Sequence, residues 1–334
     1  MTGTADPARR VPSGTRKSLG IIGTRLAISL VLLIVMSMLV FAATQALPGD
    51  IALMVLGRDA TPAQVDRLRS LLNLDAPVWQ QYLLWAGNLL QGDFGTSFIS
   101  QQPVGDIVAA RISNTLVVVI LSFALSIPIS LLLGVFTAVH ADGLGDRIVL
   151  LVSIALNALP EFVLALLLVL LLSVKVFHIF PPVALLSPEQ SVWAQLPRVA
   201  LPVLTLALLQ MSYFYRLVRA TMIDVLNSDY VEFARLKGMP QRVILWRHAI
   251  PNALVPAVQA AGTIFAISFG GVVVIEYVFA FPGLGTALAE AVGSRDIQVV
   301  QAITLTIAVI FFATNIVTDL ITLMLTPPGR GGQA

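Results

Sequence analysis

Residues 113–139 read SNTLVVVILSFALSIPISLLLGVFTAV, 27 consecutive positions without a charged side chain. A helix rises about 1.5 Å per residue, so about 20 mostly apolar residues cross a hydrocarbon core about 30 Å thick. This stretch is therefore long enough to span a bilayer alone. Outward from it, runs at 26–46, 148–174, 199–215, 254–278 and 302–325 meet the same requirement and bring the expected spans to six. Composition agrees: 57% hydrophobic residues, 11% charged and a mean hydropathy of +0.90 leave too little polar surface for water to be the solvent of most of the chain. The fold class is all-α integral membrane, with a long insert (47–112) after the first span and the remaining five spans in a core at 113–325.

The net charge is only +2, and placement matters more than sum. Lys and Arg are retained on the cytoplasmic side. The tail at 1–25, with Arg9, Arg10, Arg16, Lys17 and Arg25, is basic, and so is the loop at 216–252, with Arg216, Arg219, Arg235, Lys237, Arg242 and Arg247. With an even number of spans, the pattern predicts cytoplasmic N- and C-termini, the latter at 326–334, and a cytoplasmic loop between spans four and five. The first span is longer than a signal-peptide core and no A-x-A site follows it closely, so it reads as an anchor. With no cysteine, disulfides and thiolate chemistry are excluded, and His140, His178 and His248 are too scattered to make a metal site.

The external insert carries two helix-start signals. Thr61-Pro62 precedes Val65, Leu68, Leu71 and Leu72 on one face; Asp75 and Pro77 precede the stripe Val78, Tyr82, Trp85 and Leu89. Trp79 and Trp85 suit a membrane interface. These helices either lie on the outer leaflet, cap a pathway or form a plain scaffold for its mouth.

In the cytoplasmic loop, Ser228 or Asp229 can cap a short helix that Gly238 stops. That helix is expected to expose Tyr230, Phe233 and Ala234, flanked by Glu232, Arg235 and Lys237, as an interaction knob. Pro251 and Pro256 mark the start of span five. The pattern Glu232-x-Ala234-x-x-x-Gly238, with His248 ten residues on and Pro251 three later, resembles the cytoplasmic EAA loop of binding-protein-dependent ABC importers. Phe233 stands where that motif has its first alanine, His248 where it has isoleucine, and Pro251 where this subunit type commonly has arginine. Asp229-Tyr230-Val231, Arg247-His248 and Asn252-Ala253-Leu254 are closer still to the dipeptide, oligopeptide and nickel permeases.

The resemblance runs along nearly the whole chain. Leu47-Pro48-Gly49-Asp50, Leu74-Asp75-x-Pro77, Gln81-Tyr82-x-x-Trp85 and Gly92-Asp93-x-Gly95-x-Ser97 look like the first, B-type permease of such systems; Glu276-x-x-Phe279-x-x-Pro282-Gly283-Leu284-Gly285 resembles the turn before the last span, and Asn315 with Asp319-Leu320 the closing helix. It implies that Asp229, Tyr230, Glu232, Phe233, Ala234, Gly238, His248 and Pro251 couple the chain to an ATPase. It also implies that Glu276, Pro282, Gly283 and Gly285 border the outer gate. The implied partners are a second homologous permease, two ATP-binding subunits that hold the ATP and Mg, an extracytoplasmic substrate-binding protein and the bilayer of a bacterial or archaeal cytoplasmic membrane. No nucleic acid, no catalytic residue and no cofactor of the chain's own is expected.

Glu161, after Pro160, is the acid read as lying well inside a span. An unpaired charge there costs about 2.5–3.5 kcal/mol on insertion scales, so it either lines the pathway or is an acid hydrogen-bonded at a proline kink. Arg216 and Arg219 are read as snorkelling to headgroups, and Ser122, Ser126, Pro128, Ser130 and Gly134 as packing devices. No Gly-x-x-x-x-Gly-Lys-Ser/Thr loop is present, which favours a pathway subunit driven by partner ATPases; an ion-coupled transporter would show more intramembrane charge and an inverted repeat, and His-Glu-x-x-His and Gly-x-Ser-x-Gly, marks of an intramembrane enzyme, do not occur. Peptides are the expected cargo, with nickel chelates and glutathione as alternatives.

Overall fold

Each apolar run seeds a helix, and most of the helices outrun the apolar stretch that starts them. In the computed structural model, which describes residues 14–45, 60–71, 75–187 and 190–325, the elements in order are α1 (Gly14–Gln45), α2 (Pro62–Leu71), α3 (Val78–Leu90), α4 (Val104–Val139), α5 (Leu144–Ala158), α6 (Glu161–Val169), α7 (Leu196–Leu226), α8 (Asp229–Leu236), α9 (Ile250–Val278), α10 (Leu284–Ser294) and α11 (Ile297–Leu325). No strand occurs among the described residues. The readings of 47–59, Leu72, Leu74, the tails at 1–13 and 326–334, and the side chains of Arg16, Lys17, Leu68 and Leu71 lie outside the described residues.

Among the described residues five helices are long and apolar enough to cross a membrane, and a sixth apolar stretch is a bent pair, either a broken span or a re-entrant loop. That pair corrects the reading of 148–174 as one helix. α5 and α6 meet at 108°. Pro160 has no N–H to continue α5 and pushes Leu159 out of the helical region, to ψ 133. Glu161 therefore opens α6 at a break instead of sitting mid-helix. Past Val169 the last turn widens into a π-helix, Leu170–Lys175.

Two of the apolar cores of the bundle are stacked along its axis. One gathers Val118, Leu201, Leu206, Phe269, Ile275 and Phe281; the other Phe214, Val218, Met222, Ala253 and Ile264. Between them lies a polar node. Gln210 of α7 donates to Ser268 of α9 at 2.8 Å and to Ser122 of α4 at 3.2 Å, and accepts from Ser126 at 2.8 Å. Ser122 and Ser126 are thus hydrogen-bonding partners as well as small packing residues.

α1 lies on the outside, against α11 and α3. Ser37 hydrogen-bonds Tyr82 at 2.8 Å, and the Phe41 ring sits 5.6 Å from Tyr82 and 5.3 Å from Trp85. Tyr82 and Trp85 of the expected stripe thus face α1, while Val78 and Trp79 stay exposed. α3 starts at Val78, with Pro77 at the cap position.

Candidate functional site

The residues singled out from sequence fall at two opposite ends of the bundle, with Glu161 between them. At one end, α7 stops at Leu226 and α8 begins at Asp229. Ser228 occupies the cap position with extended backbone, yet its hydroxyl donates back to the Val225 carbonyl at 2.5 Å and leaves the α8 N–H groups uncapped by a side chain. The other end of α8 is closed by backbone alone. Gly238 N–H donates to Arg235 O at 2.9 Å and Met239 N–H to Ala234 O at 3.2 Å, the paired bonds of a Schellman stop. This requires the left-handed φ of +74° that Gly238 adopts.

α8 is held by one face. Val231 and Ala234, three residues apart, are buried with Ile244, and Met239 packs against them. The exposure expected for Ala234 is therefore corrected: it shares the inward stripe with Val231, and only a small side chain lets the helix sit so close. Tyr230 and Phe233 project outward at 43% and 59% exposure. The Lys237 ammonium lies 4.5 Å over the Phe233 ring. Asp229 and Glu232 are exposed in the first turn of α8. Glu232 and Arg235 border a groove of about 480 Å³ that Leu226, Asn227 and Leu236 complete. Behind α8, a π-helical turn (Ile244–Ala249) carries the half-buried His248, whose carbonyl accepts from Asn252 Nδ2 at 2.6 Å, and Pro251 lies in the first turn of α9. Arg219, read as a snorkelling residue, instead makes a bidentate ion pair with Asp146 at the start of α5, 2.5 and 2.6 Å, with Asp146 buried.

At the opposite end the chain folds around a carboxylate. Glu276, fully buried near the end of α9, accepts from the Thr115 hydroxyl at 2.7 Å and from Gly285 N–H at 2.6 Å; Thr115 in turn accepts from Leu284 N–H at 2.8 Å, and Asn114 donates to Pro282 O at 2.8 Å. The carboxylate and Thr115 thus satisfy N–H groups of the first turn of α10, a position where negative charge is favoured. Gly283 and Gly285 are required by closeness: a Cβ at Gly283 would lie 2.1 Å from Glu276 Oε1, and one at Gly285 2.4 Å from the Val273 Cα. Next to this brace, Ser97 donates to Asp296, the residue just before α11, and Val104 N–H donates to Gly95 O at 2.9 Å. The far end of the insert is docked on the same surface.

Glu161 belongs to neither group. It is half-buried, and a Cβ on Gly271 of α9 would lie 2.8 Å from its Oε1. Sequence reading also took Glu161 as the acid within the spans, whereas Glu276 is the one enclosed by the helices. Thr115, Asn114, Asp296, Asp146 and Gln210 were missed. Asp296 and Asp146 carried a signal, being acids beside predicted span ends; a lone threonine or glutamine in an apolar run carries none.

The chain matches the family profile described as binding-protein-dependent transport system inner membrane component over residues 130–328, and the N-terminal profile of the same membrane component over 19–119. It is 36% identical over 306 residues to a peptide transport system permease protein of Brucella abortus, covering 92% of this chain and 97% of that protein. It is 32% identical over 306 residues to an oligopeptide transport system permease protein of Bacillus subtilis, covering 91% and 96%. A glutathione transport system permease protein of Escherichia coli K12 is 33% identical over 298 residues, covering 89% and 94%.

Proposed function

Because the chain belongs to the inner membrane components of binding-protein-dependent transport systems, the permease subunits of ABC importers, we propose that it forms half of a peptide pathway and takes its drive through α8. The observation that carries this is the division of α8 into two faces. Val231 and Ala234 fix it to the bundle, while Tyr230 and Phe233 stay exposed on the outer face, with only Lys237 lying over the Phe233 ring. An aromatic pair on a short rigid helix fits a groove on a partner, and a few such residues typically dominate an interface.

In this reading the α8 end is cytoplasmic. Two ATP-binding subunits, which hold the ATP and Mg, close beneath this chain and its sister permease, and each α8 converts closure into rotation of its helix bundle. A substrate-binding protein delivers cargo at the opposite mouth, bordered by Pro282, Gly283 and Gly285 and braced by Glu276. The names of the Brucella and Bacillus relatives support peptides as cargo. Glutathione is the second reading, supported by the Escherichia relative.

Two experiments test it. Gly238→Asp and Glu232→Arg are expected to leave insertion and abundance normal while abolishing uptake and the stimulation of ATP hydrolysis by loaded binding protein in reconstituted vesicles; intact stimulation and uptake in both would move the coupling element elsewhere. For orientation, a cysteine at Lys237 is expected to react with an impermeant thiol reagent only from the cytoplasm, and one at Arg67 only from outside. The chain has no cysteine of its own to contribute background.

A further inference from the structure

The break between α5 and α6 lies at membrane depth. The Asp146–Arg219 pair fixes the start of α5 near the α8 end, and Gln210 is nine residues from Arg219 along α7, about 13 Å. Gln210 bonds Ser268, and Gly271, against which Glu161 lies, is one turn farther toward the mouth, about 5 Å. From there α9 continues only about 10 Å to Val278. Glu161 thus sits within a core about 30 Å thick, about two-thirds of the way to the mouth.

Irregular backbone at such depth is tolerated only where protein buries it or water reaches it. This chain does not bury it: Asn157, Ala158, Pro160 and Phe162 are all exposed. Leu159 N–H closes α5 on Leu156 O at 3.3 Å, and beyond it the Asn157 and Ala158 carbonyls have no continuing α5 turn to meet, because Pro160 ends the helix. Neither the Asn157 amide nor the Glu161 carboxylate has a hydrogen bond or ion pair among the described residues. Two unpartnered polar side chains and free carbonyls together at this depth do not belong against lipid. Both side chains carry oxygen acceptors and no described cation neutralises them, while the first N–H groups of α6 open onto the same break. A carboxylate and an amide are too few fixed ligands for Ca²⁺, which takes six to eight oxygens, whereas a primary ammonium has three donors to give.

We infer that Asn157 and Glu161 form the subsite in the pathway that receives the ammonium end of a peptide. The inference rests on the peptide reading above. Glu161 supplies the opposite charge, Asn157 and the α5 carbonyls take the remaining donors, and Gly271 leaves the carboxylate room to stay at the break.

The test uses the full transporter with Ala158→Cys in this otherwise cysteine-free chain, solubilised without the binding protein so that only the pathway's own preference is read. Labelling of the introduced thiol by 2-aminoethyl methanethiosulfonate relative to the 2-sulfonatoethyl reagent, normalised to a free thiol, is expected to favour the cation about tenfold. Adding Glu161→Gln should bring the ratio close to one, and Gly271→Ala should lower it by displacing the carboxylate. Millimolar trialanine should slow labelling at least threefold, N-acetyl-trialanine should not, and Asn157→Ala should weaken the protection. No labelling, a ratio unmoved by Glu161→Gln, or equal protection by both peptides overturns the subsite. In parallel, ATP hydrolysis is measured with peptide-loaded binding protein in vesicles. A complex that pumps peptide but fails the labelling test loses only this inference; one that no peptide stimulates loses the peptide reading and the inference with it.

Discussion

The two ends of the bundle are built on opposite principles. At the end opposite α8, Glu276, Thr115, Asn114 and the 282–285 turn close on one another, with the N–H groups of Leu284 and Gly285 satisfied by Thr115 and Glu276. At the α8 end the chain supplies half an interface: an anchored inner face, a glycine stop, and aromatic side chains turned outward. The end opposite α8 is closed within one chain, and in the proposed reading the α8 end is finished by another. Stability should accordingly be concentrated at the first and coupling at the second.

The contrast is broken most directly at Glu276. Glu276→Leu removes the acceptor for Thr115 and Gly285 and is expected to cost about 3 kcal/mol, read as a lower unfolding temperature of the purified chain in detergent; a wild-type midpoint would mean that the brace is dispensable. Gly285→Ala should cost about 2 kcal/mol by the same measurement, because its Cβ meets backbone at Val273. At the other end, Gly238→Ala meets no atom within 4 Å and pays only for its φ, about 1 kcal/mol. Its transport should fall further than its stability, because the stop also aims α8. Smallest in stability are Tyr230→Ala and Phe233→Ala, expected to shift unfolding by less than about 0.5 kcal/mol, while weakening capture of the ATP-binding subunit by about tenfold or more. A loss of stability matching the loss of capture would erase the difference between the ends.

The sequence reading went furthest where one residue type has few reasons to be present. Long uncharged runs can hardly be anything but spans, and Gly238 after an amphipathic octet announced its own positive φ. It went wrong where a side chain's direction depends on what it packs against. Ala234 was read as exposed with Tyr230, about 40° from it round the helix, but packing on Ile244 buries it with Val231. Pro160 was visible, yet the 108° turn it permits depends on α7 and α9, against which α5 and α6 pack. The Gln210 node and the Thr115 relay were illegible because their partners lie 84 and 161 residues away.

α1 is held to α11 by polar contacts near the two ends of its apolar stretch, Arg25 to Asp319 and Thr44 to Gln301, the latter pair 257 residues apart in sequence. During synthesis those contacts come last. The first helix to reach the bilayer must wait for the final one, its apolar flank in lipid throughout, with the Ser37–Tyr82 bond, 45 residues apart, as its earliest fastener. Its partners arrive in the order α3, then α11, so truncations that spare every later span but remove α3 should leave α1 the least anchored part of the nascent protein.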